Sequence, residues 1–581
     1  MSREKETGLR ERNMKTIPLH MQYGHRVIFK AMGFTTEELA LPRIMIVNSW
    51  SEQSPGHSHL RAISEGIKAG VRMAGGMPFE INVIGPCSVL NAGPADMQFD
   101  LPQREAILAS IESALHVGWC QGWVGIGSCD KIVPGMLLAA LRLNRPFAFI
   151  GGGQMLPCDY EGERFGFVRG MEIMSQEFNK LMDGKLGLED YEAKLEELTD
   201  CCGSSAGACG EMTTGNSMQL LTEALGFSVP GSSTSVAVSA EKIWQAKETG
   251  KRIVELARKQ VKPSDIFTLN SLKNAMAVEM AICGGTNSLV HLQSCAHEAG
   301  IDCTLDTWDD MSRKVPALVA VAPSGPYVLY DFHKMGGVPV VMKKIEKYLD
   351  LTCPTVMGKT VGDNLAGVKP VDSDVIRPIE NPVWPEGALA VLKGNLAPRG
   401  AVTRHTVVDN KDLLTSAFSA RVFDSLQDVM DAIQGGKLKP GDAVLCRYQG
   451  PRGGPAMTEC LRIIYALRSK RVKDVAVITD GRFSGWTKGY LAIGNVCPEA
   501  QVGGPLALVQ DGDSIRVDVP NRRLDVDISE EEMARRKSKW TPRDQSHITG
   551  TLLLYAKMAL QADQGAGWPV RWSDMDGQER K

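Results

Sequence analysis

Cys129, Asp130 and Lys131 stand in consecutive positions between the apolar run Trp123-Val124-Gly125-Ile126-Gly127 and a helical pattern opened by Pro134. A thiol, a carboxylate and an amine at the start of a helix suit metal ligation, because a helix N-terminus favours anions and lowers a cysteine pKa. A strand-end loop with a buried cysteine and a solvated Asp–Lys pair would look the same locally. A second segment, Cys201 to Met212, carries Cys201, Cys202 and Cys209 in a Gly/Ser-rich loop that leads into a helix near Asn216–Leu225. Thiols this close suggest cluster chemistry. The spacing matches no zinc-ribbon or ferredoxin pattern, which disfavours zinc, and a purely structural loop is the alternative.

A third segment, Gln449 to Glu459, is rich in glycine and proline. Its glycines permit close backbone approach to a ligand, and Glu459 is a hard oxygen donor suited to a divalent cation, or else an exposed acid at a helix start. In the fourth, Ile478 to Gly485, a strand delivers Ser484 with no histidine nearby in sequence to activate it. The lipase-type Gly-x-Ser-x-Gly elbow is absent because Arg482 stands where its first glycine would be, so Ser484 taken alone reads as structural.

The elements that must position these segments alternate between strands and helices over the first two thirds of the chain, the pattern of an α/β layer fold. Strands are expected at Arg43–Val47, Trp123–Gly127 and Phe147–Ile150, and helices from about Leu60 to Ala74, Glu105 to Leu115 and Met136 to Leu143. From about Leu351 to Pro385 the pattern weakens and Pro354, Pro370, Pro378, Pro382 and Pro385 accumulate, which marks an interdomain connection. Beyond it, Ile515–Val519 and Leu524–Ile528 alternate around a Pro520-Asn521-Arg522 turn, a hairpin in a β-rich, barrel-like second domain. The expected organisation is an N-terminal α/β domain over 1–370 and a C-terminal β-rich domain over 385–581.

Such a division suits a chain of 581 residues, long enough for two or three domains. Hydrophobic residues at 43% and charged residues at 23% supply large cores and exclude disorder as the main state. A net charge of −3 gives no sign of a nucleic-acid or acidic-membrane binder. No apolar run reaches the length of a membrane span, and Met1–Ile17 has no apolar core and carries Glu4, Glu6 and Glu11, unlike a secretory or transit leader. A cytoplasmic location is the expectation. The fourteen cysteines then read mostly as small buried hydrophobes, a few as metal ligands, rather than as extracellular disulfides.

Taken together, Cys129-Asp130-Lys131, Gly207-Ala208-Cys209-Gly210, Gly450-Pro451-Arg452-Gly453-Gly454-Pro455 and Thr479–Gly485 resemble the dihydroxy-acid dehydratase and 6-phosphogluconate dehydratase family. The likeness extends through Leu101-Pro102-Gln103-Arg104-Glu105, Ser312–Pro316 and Gly394–Pro398, in the family's motif order, from about Arg43 to the C-terminal region. It implies an N-terminal α/β domain, a C-terminal barrel-like domain, and a homodimer or homotetramer acting on a small dihydroxy or sugar acid. The implied reaction is dehydration of a 2,3-dihydroxy acid to a 2-keto-3-deoxy acid, with an iron–sulfur cluster (2Fe-2S or 4Fe-4S) and Mg²⁺. By resemblance Cys129 and Cys209 ligate the cluster, Asp130, Glu459 and a carbamylated Lys131 hold Mg²⁺, and Ser484 is the base. A sugar-acid dehydratase and a non-catalytic cluster-binding paralogue are the competing readings.

The chain departs from the family pattern at three points. Gly56 stands where many members have a cluster cysteine, although one branch associated with a 4Fe-4S cluster also has Pro-Gly-His there. Ser88 stands where the family has an acidic Mg²⁺ ligand, so weakened Mg²⁺ binding is expected. Cys460 and its neighbours differ from the usual sequence after Glu459. A third cluster thiol must then come from elsewhere: Cys87, beside the Ser88 position, is the candidate, with Cys201, Cys202 and His57 as rivals.

Overall fold

The computed structural model describes residues 22–91 and 97–576; the leader reading of Met1–Ile17 lies outside them. The N-terminal half is built on a four-stranded parallel sheet of β1 (Arg43–Asn48), β2 (Met77–Asn82), β3 (Gly122–Gly127) and β4 (Phe147–Gly151), in the order β2-β1-β3-β4. β3 and β4 are buried throughout and β1 along all but its first residue, which is why they read as continuous apolar runs instead of alternating ones. Helices Leu60–Met73 and Ala240–Lys259 pack together on this sheet, and Pro102–Gly118 and Ile132–Leu143 pair beside it. The strand order reverses direction between β1 and β3, so the loops leaving their C-terminal ends diverge and leave a crevice, the usual ligand position of an open α/β sheet. A small antiparallel pair, β5 (Cys158–Tyr160) and β6 (Glu163–Phe165), follows.

The C-terminal half is a barrel-like sheet of eight strands: β7 (Leu389–Leu392), β8 (Gly400–Arg404), β9 (Thr415–Phe423), β10 (Asp442–Cys446), β11 (Ala476–Thr479), β12 (Leu491–Cys497), β13 (Ser514–Asp518) and β14 (Arg523–Val526), ordered β14-β13-β9-β10-β11-β12-β8-β7. β9 to β12 run parallel, and the flanking strands are antiparallel. Alternation sorts their side chains: Ala443, Leu445, Ala476, Ile478, Leu491 and Ile493 fill the barrel, while Val444, Cys446, Val477 and Ala492 face the outer helices Leu426–Gln434 and Leu461–Ser469. The ends of the sheet meet. Lys393 pairs with Arg523, and Asn395 follows by accepting from Val526 N–H through Oδ1 and donating through Nδ2 to Val526 O.

The hairpin expected over 515–528 is β13–β14, with Ile515 opposite Val526. The proline-rich stretch is not a free connection. Ile376 bridges to Val319 and Trp384 to Ala317, which straps residues 374–384 along the N-terminal half as an outer, proline-tolerant edge. No helix among the described residues is long and apolar enough to cross a membrane.

Candidate active site

The loops leaving β1 and β3 meet in the crevice that the strand order predicts. Ser49, next after β1, donates its hydroxyl to Ile126 O at 2.7 Å. His57 brackets three loops: its Nδ1 bonds Gly85 O at 2.9 Å, and its Nε2 accepts from the backbone N–H of Ser128 (3.3 Å) and Cys129 (3.1 Å). Burial pushes the imidazole down to about 4, so it is neutral, with its proton on Nδ1. Both ring nitrogens are spent on the backbone, and His57 is therefore a brace and not a rival ligand.

Three cysteines line one cavity here: Cys87, Cys129 and Cys209. The Cys87 thiol hydrogen-bonds with Cys129, and that contact and burial push it well above the ordinary thiol range. Burial and the carboxyl of Glu211 do the same to Cys209. The Cys209 loop is pinned by Gly207 N–H on Pro55 O (2.7 Å) and Ala208 N–H on Gly153 O (2.9 Å), which ties it to the loops after β1 and β4. A Cβ at Gly56 would lie 2.9 Å from Cys129 Sγ, so position 56 faces the same thiols without adding a sulfur. The rivals sit elsewhere. Cys201 is disulfide-bonded to Cys158 on β5, and Cys202 packs beside that pair with Leu198. Seven of the remaining cysteines are buried.

The same cavity is lined by part of a cluster of acids and bases drawn from both halves. Carboxylate oxygens of Asp100, Asp130 and Glu459 lie within 4.8 Å of one another. Lys131 Nζ contacts Asp100 at 2.9 Å and also donates to Asp130. Arg482 places Nη1 on Glu459 Oε2 at 2.9 Å, Nη2 on Asp100 Oδ2, and Nε on Met457 O at 3.0 Å. Ser88 donates its hydroxyl to Asp100 Oδ1. Burial alone would raise Asp100 and Asp130, but Lys131 outweighs it at both, joined by Arg482 at Asp100 and by His291 and then Arg482 at Asp130, and both stay below the ordinary carboxylate range. Burial wins at Glu459, pushed up to about 7 despite Arg482. Asp100 immediately precedes Leu101, where the helix Pro102–Gly118 begins, so the helix end adds a favourable field.

Sequence reasoning missed Asp100, Arg482 and His291, none of which lies at a telling spacing from Cys129 or Glu459. It counted an acid lost at Ser88; the structure sets the Asp100 carboxylate beside those of Asp130 and Glu459, with Ser88 donating to it. His291 Nδ1 accepts from Arg104 Nη1 at 3.1 Å, which leaves Nε2–H facing Asp130 Oδ1 at 3.8 Å. Neither of these facing atoms has a hydrogen-bond partner. Arg104 and Glu105, from the Leu101–Glu105 segment, form a buried pair in which Arg104 Nε and Nη2 both donate to Glu105 Oε1, which fixes this arrangement.

Ser484 lines the cavity with Cys129, Asp130, Cys209 and Glu459, its Oγ accepting from Trp486 N–H at 3.3 Å. The strand pair Glu459–Arg482 sets the acid and the serine loop side by side. Gly485 allows the loop to approach the other half: a Cβ there would lie 2.8 Å from Thr213 Cα. The Gly450–Gly454 loop closes on the buried Glu499, which accepts from the N–H groups of Arg452 and Gly453. Cys460 points into the core beside Thr479, and it is Leu461 that reaches the cavity.

Residues 41–364 match the dihydroxy-acid/6-phosphogluconate dehydratase N-terminal family model, and residues 374–566 match its C-terminal counterpart. The chain belongs to that family of dehydratases. Among curated proteins it is 43% identical to the dihydroxy-acid dehydratase of Ignicoccus hospitalis over 93% of this chain and 97% of the relative. It is 44% identical, with the same coverage, to the dihydroxy-acid dehydratases of Pyrococcus abyssi and Acetivibrio thermocellus.

Proposed function

We propose that this chain removes water from a 2,3-dihydroxy carboxylic acid and releases a 2-keto-3-deoxy acid. One observation carries the reading: Ser484, three thiols and the carboxylates of Asp130 and Glu459 line a single cavity. In this reading residues 1–370 contribute the thiols, Asp100, Asp130 and Lys131, and residues 385–581 contribute Glu459, Arg482 and Ser484. The names of the relatives favour a dihydroxy acid over an aldonate.

Cys87, Cys129 and Cys209 fit an iron–sulfur cluster, being three soft donors lining one cavity that Ser484 and Trp486 also line. Asp130, Glu459 and Lys131 fit Mg²⁺ once Lys131 carries a carbamate, in which neutral Nζ bonds the carbon of CO₂ and releases a proton. Three carboxylates now face two cations, leaving one excess negative charge. Exchanging the ammonium for a carbamate removes two charges and the divalent cation returns them, so the buried total is unchanged. Bound there, the cluster supplies a Lewis acid for the C3 oxygen and Mg²⁺ a fixed positive charge for the substrate carboxylate and C2 oxygen.

Ser484 Oγ, acting as an alkoxide that the Trp486 N–H helps to hold, takes the C2 proton and then passes it from its hydroxyl to the departing hydroxide, which restores the alkoxide. The C2–H electron pair becomes the second C2–C3 bond while the C3–O bond breaks with its own pair. The proton lost at C2 and the departing hydroxide make up the water released, and the enol left behind tautomerises to the keto acid. Retention of Ser484 in the cavity argues against a cluster-binding module without catalysis. The test is an assay of 2-keto acid formation from a panel of dihydroxy and aldonic acids, using anaerobically purified protein. Turnover of a branched or linear dihydroxy acid above any aldonate is expected; no product from any of them, with the cluster fully loaded, would refute the reading.

A further inference from the structure

We infer that Asp100 is the third anionic ligand of the hard-cation site, in the place of the acid absent at Ser88, and that Ser88 is its positioning residue. The inference rests on the dehydratase reading for the identity of the cation.

Asp100 is 0% exposed, and its carboxylate lies with those of Asp130 and Glu459 within 4.8 Å. Its side chain and that of Ser88 share a hydrogen bond, so a carboxylate rooted at either position reaches nearly the same point. A second observation, independent of the acids' mutual contacts, points to a bound group. His291, 1% exposed, directs Nε2 at Asp130 Oδ1 across 3.8 Å, too far for a hydrogen bond, and neither buried atom has a hydrogen-bond partner elsewhere. Leaving buried polar atoms unmet is unfavourable. A cluster serving only as an ion-pair lock would have closed this gap; one that receives an oxygen-liganded cation keeps a carboxylate lone pair free. Arg104 on Nδ1 holds the ring so that the open nitrogen faces the acids. Mg²⁺ takes few protein carboxylates and keeps waters, and the three acids with Lys131 meet that need without an acid at 88.

The experiment measures cation binding directly, by electron paramagnetic resonance of bound Mn²⁺ and by calorimetry with Mg²⁺, on full-length protein in bicarbonate buffer, with melting temperature as the check on folding. Asp100→Asn is expected to weaken Mn²⁺ binding about 100-fold and Ser88→Ala about 10-fold. The double exchange Ser88→Asp/Asp100→Ser is expected to restore binding to within about threefold of wild type. It keeps one carboxylate against Arg482 and Lys131, so it decides the matter alone where Asp100→Asn fails to fold. The single Ser88→Asp sets two carboxylates in contact and is expected to bind Mn²⁺ no more tightly than wild type. Wild-type affinity in Asp100→Asn, tighter binding in Ser88→Asp, or no binding in the double exchange would overturn the assignment. Cation binding that follows this pattern in a protein turning over no dihydroxy acid would refute the dehydratase reading and leave Asp100 assigned. Turnover by a wild-type protein that binds neither cation would do the reverse.

Discussion

Glu459 and Glu499 are both buried acids of the C-terminal half, and burial pushes both up to about 7, yet they do different work. Glu499 is saturated: it accepts from the N–H groups of Arg452 (3.0 Å) and Gly453 (2.8 Å) and from Gln561 Nε2 (2.6 Å), all of which hold the glycine-rich loop closed. Glu459 gives one oxygen to Arg482 and opens onto the cavity shared with Ser484. Burial and a shifted pKa therefore do not separate a structural acid from a functional one. The count of donors already spent on it does.

If that distinction holds, residues opening onto the cavity lose activity without stability, and saturated ones lose stability without activity. The largest effect is expected for Ser484→Ala: a fall in kcat of about 10²–10⁴ with iron content and Tm unchanged, because the proton acceptor goes and no ligand is touched. Activity within a few-fold of wild type would remove Ser484 from the mechanism. Glu459→Gln should lower kcat by at least about 10² while leaving Tm close to wild type, since the amide oxygen still accepts from Arg482. A large drop in Tm would make Glu459 another Glu499.

The thiols offer the same contrast. Cys87→Ser is expected to lose most iron and sulfide after anaerobic reconstitution, whereas Cys202→Ser, outside the cavity, should keep both; equal cluster content in the two proteins would dismiss Cys87.

The smallest effect concerns Glu499→Gln, whose NH₂ must face N–H donors, at a cost of about 1–3 kcal/mol in unfolding free energy and none in the kcat of the folded enzyme. Its pH dependence follows by linkage. The folded chain keeps the Glu499 proton up to about 7 and the unfolded chain loses it near 4.5, so between these values the folded state binds more protons and stability falls as pH rises. Glu499→Gln should flatten that fall, with a residual slope from Asp480, which burial also pushes up, to about 6. An unchanged slope would mean that Glu499 is ionised in the fold.

What could be read from the chain alone divides along the same line. Local patterns mark the strands Arg43–Asn48 and Gly122–Gly127 and the β13–β14 hairpin, because hydrophobic period and turn residues are local properties. Cys129, Asp130, Lys131, Cys209, Glu459 and Ser484 stand out because unusual residue types cluster at strand ends. Asp100, Arg482 and His291 do not, for their role exists only once the helix Pro102–Gly118, the loop after β11 and the helix Thr286–Ala299 have been brought together. The pairing of Ser88 with Asp100 was out of reach for the same reason, since residues twelve apart share a hydrogen bond only once the fold aims both side chains at one point. The outer helices of the barrel and the strap over 374–384 depend on tertiary cover that short-range alternation does not encode.

The closure of the barrel bears on how this chain can meet another copy of itself. Along the outer side of β14, Lys393 O takes the N–H of Leu524, Lys393 N–H takes Arg522 O, and the Asn395 amide imitates one more strand residue by engaging both backbone groups of Val526. A sheet so sealed presents no ladder for strand addition. Self-association through this half of the molecule must therefore be written in side chains on the outer helices and loops, where partner choice can be specific, and the runaway growth open to an unpaired strand is foreclosed.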